Sequence, residues 1–212
     1  MNFRKGIKTF WELRKRDDWK SLLFWIPVIL ITIKFIIFPI LYLITGTSLP
    51  IVIVESCSMY HGSSIDKWWG IHGDLYALYN ISKEQFQEFP FVGGLNKGDI
   101  IIVWKKKEYH KGDIIVFNAN SGSSQMYPII HRIIKENPFG TKGDNNNLQL
   151  VTNTDFSNNK AKVDETNIIP QRIQGKAIAR IPYLGWIKLF FFDFFKRSEE
   201  RGLCKETTQQ KL

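Results

Sequence analysis

Three short stretches carry residue types able to do chemistry. The first is Glu55-Ser56-Cys57-Ser58-Met59-Tyr60, directly after the apolar run Ile51-Val52-Ile53-Val54. A serine at a strand end is exposed and held by the backbone, which suits a nucleophile. A serine hydroxyl is a weak one and needs a base within hydrogen-bond reach. The second is His131-Arg132, set between Ile129-Ile130 and Ile133-Ile134. Alone, a histidine in such a strand is more simply a packing residue. The third is Thr141-Lys142-Gly143-Asp144-Asn145-Asn146, by itself an ordinary turn sequence. Taken together, Ser58, His131 and Asp144 supply a nucleophile, a base, and an acid to set the base's tautomer. Cys57 is a rival nucleophile, since a thiolate needs less activation. Adjacent strand side chains point to opposite faces, so a Ser58 that faces a cleft turns Cys57 away, toward the core.

These residues need a platform. The chain has 212 residues, with room for one domain plus appendages. Its 44% hydrophobic and 23% charged residues exclude a disordered chain. Two cysteines build neither a disulfide framework nor a four-thiolate zinc site. The net charge of +9 suggests nucleic acid or an anionic membrane surface.

The charge distribution favours the membrane. Leu22 to Ile44 is apolar except for Pro27, Thr32, Lys34 and Pro39, and is long enough to cross the hydrocarbon core. A central lysine costs roughly 2.5–3.5 kcal/mol on insertion scales, which the surrounding Ile, Leu and Phe offset. The run is too long for a cleaved signal peptide's apolar region of about 7–15 residues. Arg4, Lys5, Lys8, Arg14, Lys15, Arg16 and Lys20 precede it. Positive flanks stay cytoplasmic, so the chain after residue 45 is expected outside, in the extracytoplasmic space.

Beyond the anchor, Ile51–Val54, Ile100–Trp104, Ile114–Phe117 and the runs around His131 read as short strands bounded by turns. Lys-Gly-Asp-Ile occurs twice, at Lys97 and Lys111, as two strand entries. Ser82 with Gln85 makes a capping-box pattern, and Pro90 ends that helix. Asn145 to Asn167 is polar and reads as a long exposed loop, and Asn80-Ile81-Ser82 is a glycosylation sequon. Tyr183 to Phe195 is too short to span a membrane with Asp193 inside it. Two readings stay open: an interfacial segment with its rings at headgroup depth, or a core helix under the sheet.

The ensemble resembles the signal peptidase I family in its archaeal and endoplasmic-reticulum form. The matching elements are the serine box Ser56-Cys57-Ser58-Met59 after an anchor, the strand Gly112 to Phe117, and the His131-Arg132 pair. They continue with Thr141 to Asn146 and a close at Gly175-Lys176-Ala177 and Arg180 to Gly185. The resemblance covers roughly residues 22–190. It implies a mainly β, signal-peptidase-like catalytic domain tethered by one N-terminal transmembrane helix. The implied organisation is a cytoplasmic basic segment at 1–21, the anchor at 22–45 and the catalytic domain at 46–182, with an insertion at 61–96 carrying Trp68-Trp69. An amphipathic segment at 183–197 and a polar tail at 198–212 complete it.

The implied activity is removal of signal peptides after a small residue. Ser58 would be the nucleophile, His131 the base and Asp144 an acid, with the Ser58 N–H and Ser56 hydroxyl at the oxyanion. Such a donor contributes about 2.7–4 kcal/mol. The family's second acid falls to Asp155, with Asp164 as the alternative. His61 stands where the serine box usually has proline. The resemblance calls for no cofactor and no metal. The implied partners are signal-peptide-bearing preproteins and the lipid membrane, with export machinery or accessory subunits as further candidates, and no nucleic acid. The competing class is a non-enzymatic membrane-tethered β-domain that binds partners, or an inactive family member.

The expected topology is testable on intact cells or spheroplasts. Added protease should remove a tag at Leu212 and spare one at Met1. Protection of the C-terminal tag would contradict the single-span reading.

Overall fold

A long apolar run must satisfy its own backbone groups, and helix does so within the segment. The computed structural model describes residues 19–62, 64–120, 127–151, 163–196, 198 and 201–205. Trp19–Thr32 forms α1 and Phe38–Thr45 forms α2, joined by a π-helical turn over Ile33–Ile37. The wide turn has a cause. Pro39 has no N–H to offer the Phe35 carbonyl, and just before it the Phe38 N–H bonds back to the Ile33 carbonyl. Gly46 ends the helix at φ 69°, its N–H bonded to the Tyr42 carbonyl. Ser21–Thr45 is thus one helix of 25 residues, long and apolar enough to cross a membrane. The chain divides into two compact units after Gly46.

The second unit is a mainly antiparallel β half-barrel. Its strands are β1 (Ile51–Ile53), β2 (Ile100–Trp104), β3 (Ile114–Phe117), β4 (Ile129–Lys135), β5 (Gly140–Lys142) and β6 (Ile173–Ile181). They lie in the order β1-β2-β6-β3-β4-β5. The β-branched runs expected as strands are β1 to β4. The nine-residue β6, which bridges β2 and β3, carries no comparable apolar signature because its polar residues alternate with Gly175, Ala177 and Ala179. Pairing shifts at Ile102/Val103, Val116/Phe117 and Ile133/Lys135 add local twist, which favours curling. Val52, Val54, Ile101, Val103, Ile114 and Val116 form one core inside the curl.

The two Lys-Gly-Asp-Ile copies use one device. Asp99 and Asp113 each accept a hydrogen bond from the N–H three residues back, of Asn96 at 2.8 Å and of His110 at 3.0 Å. The intervening Gly98 and Gly112 sit at φ 90° and 94°. Each turn therefore closes on itself before its strand begins.

The 61–96 insertion folds as α3 (Ile65–Ala77) and α4 (Lys83–Gln87), the second with the expected capping box. Trp68 is buried against Tyr76, Ile81, Phe86 and Ile134, with Trp69 packed beside it. Trp68 is therefore core, and Trp69 is half-buried at its edge. Asn80 is exposed at the turn between the helices, at φ 53°. The tail expected after residue 198 is tied down in part: Cys204 forms a disulfide with Cys57, and the Gly202 N–H bonds to Asp193. Part of the polar loop expected after Asn145 lies outside the described residues.

Gly112 tests the turn device. A Cβ there would lie 2.3 Å from the Phe89 ring on a backbone that L side chains rarely adopt, whereas one at Gly93 meets nothing within 4 Å. Gly112→Ala should destabilise the fold by about 1–3 kcal/mol in denaturant unfolding, with Gly93→Ala near neutral. Equal midpoints for the two variants would contradict the assignment.

Candidate active site

Ser58 lies just past β1, on a turn closed by the Tyr60 N–H bonding to the Cys57 carbonyl at 3.1 Å. The turn is held from both sides. Asn145 donates its backbone N–H to the Ser58 carbonyl at 2.7 Å and its side-chain amide to the Cys57 carbonyl at 3.1 Å. From the C-terminal side, Lys188 and Lys196 pair with Glu55, and Cys204 is bonded to Cys57. Cys57 is thus no free thiol facing the core, which removes it as a rival nucleophile.

His131 lies in β4 opposite Ile115 and is buried. Its Nε2 is 3.0 Å from the Ser58 Oγ. On its other side Nδ1 meets a Glu165 carboxylate oxygen. A carboxylate only accepts, so Nδ1 carries the proton and Nε2 is free to accept from the serine hydroxyl. Ser56 Oγ lies 3.1 Å from Ser58 Oγ, within reach of an oxygen developing beside the nucleophile.

The acid beside the histidine is Glu165, not Asp144. Asp144 is fully buried among other partners. It accepts from Tyr76 Oη at 2.7 Å, from Arg132 Nε and Nη2 at 3.0 and 2.8 Å, and from His61 Nε2 at 2.9 Å. Arg132 and His131 are neighbours on one strand, so their side chains leave on opposite faces. The acid that pairs with Arg132 is for that reason not the one that reaches His131. His61 stacks on Trp68 with ring centroids 3.8 Å apart and helps seal this cluster.

Asp164 is no substitute either. Its carboxylate accepts from the Thr166 N–H and hydroxyl in a local turn. Asp155 lies outside the described residues. Glu165 has no local sequence signal of its own: Val163 and Glu165 are buried, Asp164 is half-buried and Thr166 exposed, on a bend that follows the Val151–Asp164 bridge. The Glu165 carboxylate is further held by the Thr141 hydroxyl at 2.9 Å and the Leu150 N–H at 2.7 Å.

Asp144 sits among charges that fix its ionisation. Burial alone would push the Asp144 carboxyl up, but Arg132 and His61 outweigh it and hold it well below the usual carboxylate range. Burial pulls the Lys142 ammonium down to about 8 against the opposing charges of Asp144 and Glu165. That ammonium ties together the carbonyls of Gly143, Asp144 and Asn146, stiffening the turn that touches Ser58. Gly143 must be small, since a Cβ there would lie 2.8 Å from both His131 Nε2 and the Ser58 carbonyl.

A groove of about 800 Å³ runs past Ser58 and His131. Its walls include β1 and the stretch Tyr127 to His131. Among the described residues β1 pairs only with β2, and β5 pairs with β4 only from Arg132 onward. Along this groove β1 and the Ile129–His131 part of β4 thus each have an edge without a ladder partner among the described residues. No group of three or more His, Cys, Asp or Glu side chains able to hold a metal occurs among the described residues.

No protein-family model matches this chain, and no curated protein matches it.

The Asp144 cluster should dominate acid stability. A carboxyl held low in the folded state stabilises fully above its unfolded value of about 3.9, and that contribution is lost as pH falls below it. Asp144→Asn should cost about 3–5 kcal/mol at pH 7, because Arg132 is left buried without its counter-charge. The variant's stability should also vary less with pH below 4. Urea titrations at pH 7 and pH 3 check both, and an unchanged midpoint at pH 7 would contradict the assignment.

Proposed function

We propose that this chain is a membrane-tethered serine endopeptidase of the signal peptidase I type, acting on signal-peptide-bearing proteins at the outer face of a membrane. The observation that carries this reading is the Ser58–His131–Glu165 array opening on a groove bordered by two strand edges that are unpaired among the described residues. An extended segment entering the groove would add a strand to these edges, which holds a peptide by its backbone independently of most side chains. The scissile carbonyl would then lie against the Ser58 Oγ.

The chemistry follows from the order of the three groups. Ser58 attacks the carbonyl carbon as its proton passes to His131 Nε2. Glu165 on Nδ1 stabilises the imidazolium that forms. The oxyanion is met by the Ser56 hydroxyl and the Ser58 N–H. His131 returns its proton to the leaving amine, and a water then repeats the sequence to release the acyl group. The preference for a small residue before the cut is carried by the family resemblance of the serine box, His131-Arg132 and Thr141 to Asn146. The N-terminal helix supports a membrane location, and the basic residues before it support a cytoplasmic N-terminus.

Detergent-solubilised protein should cleave a signal-peptide-bearing substrate, and Ser58→Ala should abolish cleavage. Glu165→Gln should lower kcat on the order of 10⁴-fold, since it loses the charge that stabilises the imidazolium and sets its tautomer. Asp164→Asn should leave turnover near normal. A Glu165→Gln variant with full kcat, or wild-type protein inert on several such substrates, would overturn the proposal.

A further inference from the structure

The chain has two cysteines, and they are bonded to each other across 147 residues. Cys57 is the residue before Ser58, and Cys204 lies in the C-terminal segment. That segment starts with Trp186–Phe192 as α5 and Asp193–Phe195 as a 3-10 turn, within which only Leu189 and Asp193 are buried. Phe190, Phe191 and Phe194 turn outward, so the core-helix reading of Tyr183 to Phe195 is not what the fold shows. The segment is nevertheless seated on the domain. The Gly185 N–H bonds to the Gly98 carbonyl at 2.8 Å, Trp186 Nε1 to the Lys97 carbonyl at 3.0 Å, and Lys97 pairs with Asp193 at 2.8 Å.

The disulfide is open to approach from one end. A cavity of about 560 Å³ has Tyr60, Lys97, Trp186, Leu203 and Cys204 in its wall, a size that suits a small organic molecule. Cys57 lines neither this cavity nor the groove at Ser58. Thiol–disulfide exchange proceeds at the sulfur that an attacking thiolate can reach. Arg201 and Lys205 flank Cys204 in the chain and are exposed, so an anionic thiolate is drawn to that end of the bond. The stretch around Cys204 has other holds on its own segment, the Gly202 N–H on Asp193 and Arg201 Nε on the Lys196 carbonyl. Opening the bond therefore separates this segment from Cys57 without freeing it from the domain.

We propose that Cys204 is the site at which a dithiol reductant opens the Cys57–Cys204 bond, and that this opening loosens the Ser58 turn. One thiolate of the reductant attacks the Cys204 Sγ, the bond to Cys57 breaks, and Cys57 leaves as a thiolate that takes up a proton. The reductant's second thiol then attacks the mixed disulfide and releases Cys204 as a thiol. The protein gains two electrons and two protons, and the reductant closes into its own disulfide. With the bond closed, the residue before the nucleophile is covalently tied to the segment whose Lys188 and Lys196 hold Glu55. With it open, the 3.0 Å approach of the Ser58 Oγ to His131 Nε2 rests on those ion pairs and on Asn145 alone. The inference rests on the preceding reading only for the role of Ser58 in cleavage.

The test uses the full-length protein in detergent. Glutathione, a monothiol, traps the first step, and iodoacetamide caps the thiol it frees. Peptide mass spectrometry should find glutathione on Cys204 and the alkyl group on Cys57. Glutathione on Cys57, or no adduct on the folded protein, overturns the exchange site. Full reduction with dithiothreitol should then quicken amide deuterium exchange across residues 55–60 and leave β3 and β4 protected. Quickening throughout β3 and β4 means that the bond is a staple of the whole fold, and overturns the proposal. On a signal-peptide-bearing substrate, reduction should lower kcat roughly ten- to a hundredfold with a smaller change in KM, since small misplacements of reacting groups cost factors of that order. Reoxidation should restore it. Cys204→Ser should show the lowered kcat from the outset and no response to dithiothreitol. An unchanged kcat on reduction overturns the link to Ser58. Oxidised protein that cleaves no such substrate overturns the preceding reading instead, and the adduct's position and the exchange at 55–60 still decide this one.

Discussion

The buried Asp144–Arg132 pair is the interaction on which the domain's arrangement depends. Arg132 gives its remaining donors to the carbonyls of Pro90, Phe91 and Gly112, while Asp144 takes Tyr76 and His61 as well. One ion pair therefore joins β4, the turn after β5, the α3–α4 insertion and the turn before β3. Both charges are fully out of water, so neither tolerates loss of the other. Because Arg132 is adjacent to His131, locking its side chain on one face also sets the imidazole on the other.

The serine turn depends on this frame only in part, because it is held from two independent directions. Asn145, next to Asp144, grips its carbonyls from the interior. The C-terminal segment grips Glu55 and Cys57 from the surface. A nucleophile that must lie within about 3 Å of its base gains from such bracing, since small misplacements of reacting groups cost large factors in rate. The absence of side-chain room at Gly143 serves the same end, letting the turn come to rest directly against His131 and Ser58.

An open half-barrel leaves edges that invite pairing with other chains. Among the described residues the free edge of β1 is three residues long, and the unpaired part of β4 is no longer. Short edges limit unwanted association, and in the proposed function two of them facing one groove would hold a single extended peptide.

Local pattern made much of this legible. The apolar run, the four β-branched strands, the capping box at Ser82 and the paired Lys-Gly-Asp-Ile turns all depend on near neighbours, and each formed where its residues stand. Ser58 and His131 were also readable, since a strand end and a histidine between apolar pairs are local contexts. The choice of acid was not. Asp144 and Glu165 are both carboxylates near the right place in the chain, and only the face from which each leaves its segment decides which meets His131. Strand alternation sends Arg132 to Asp144 and His131 to Glu165, a sorting that needs both partners in space. The Cys57–Cys204 bond, 147 residues apart in the chain, and the outward turn of the Phe190 cluster are likewise products of tertiary packing, because no local preference tells a side chain which distant surface will cover it or leave it bare.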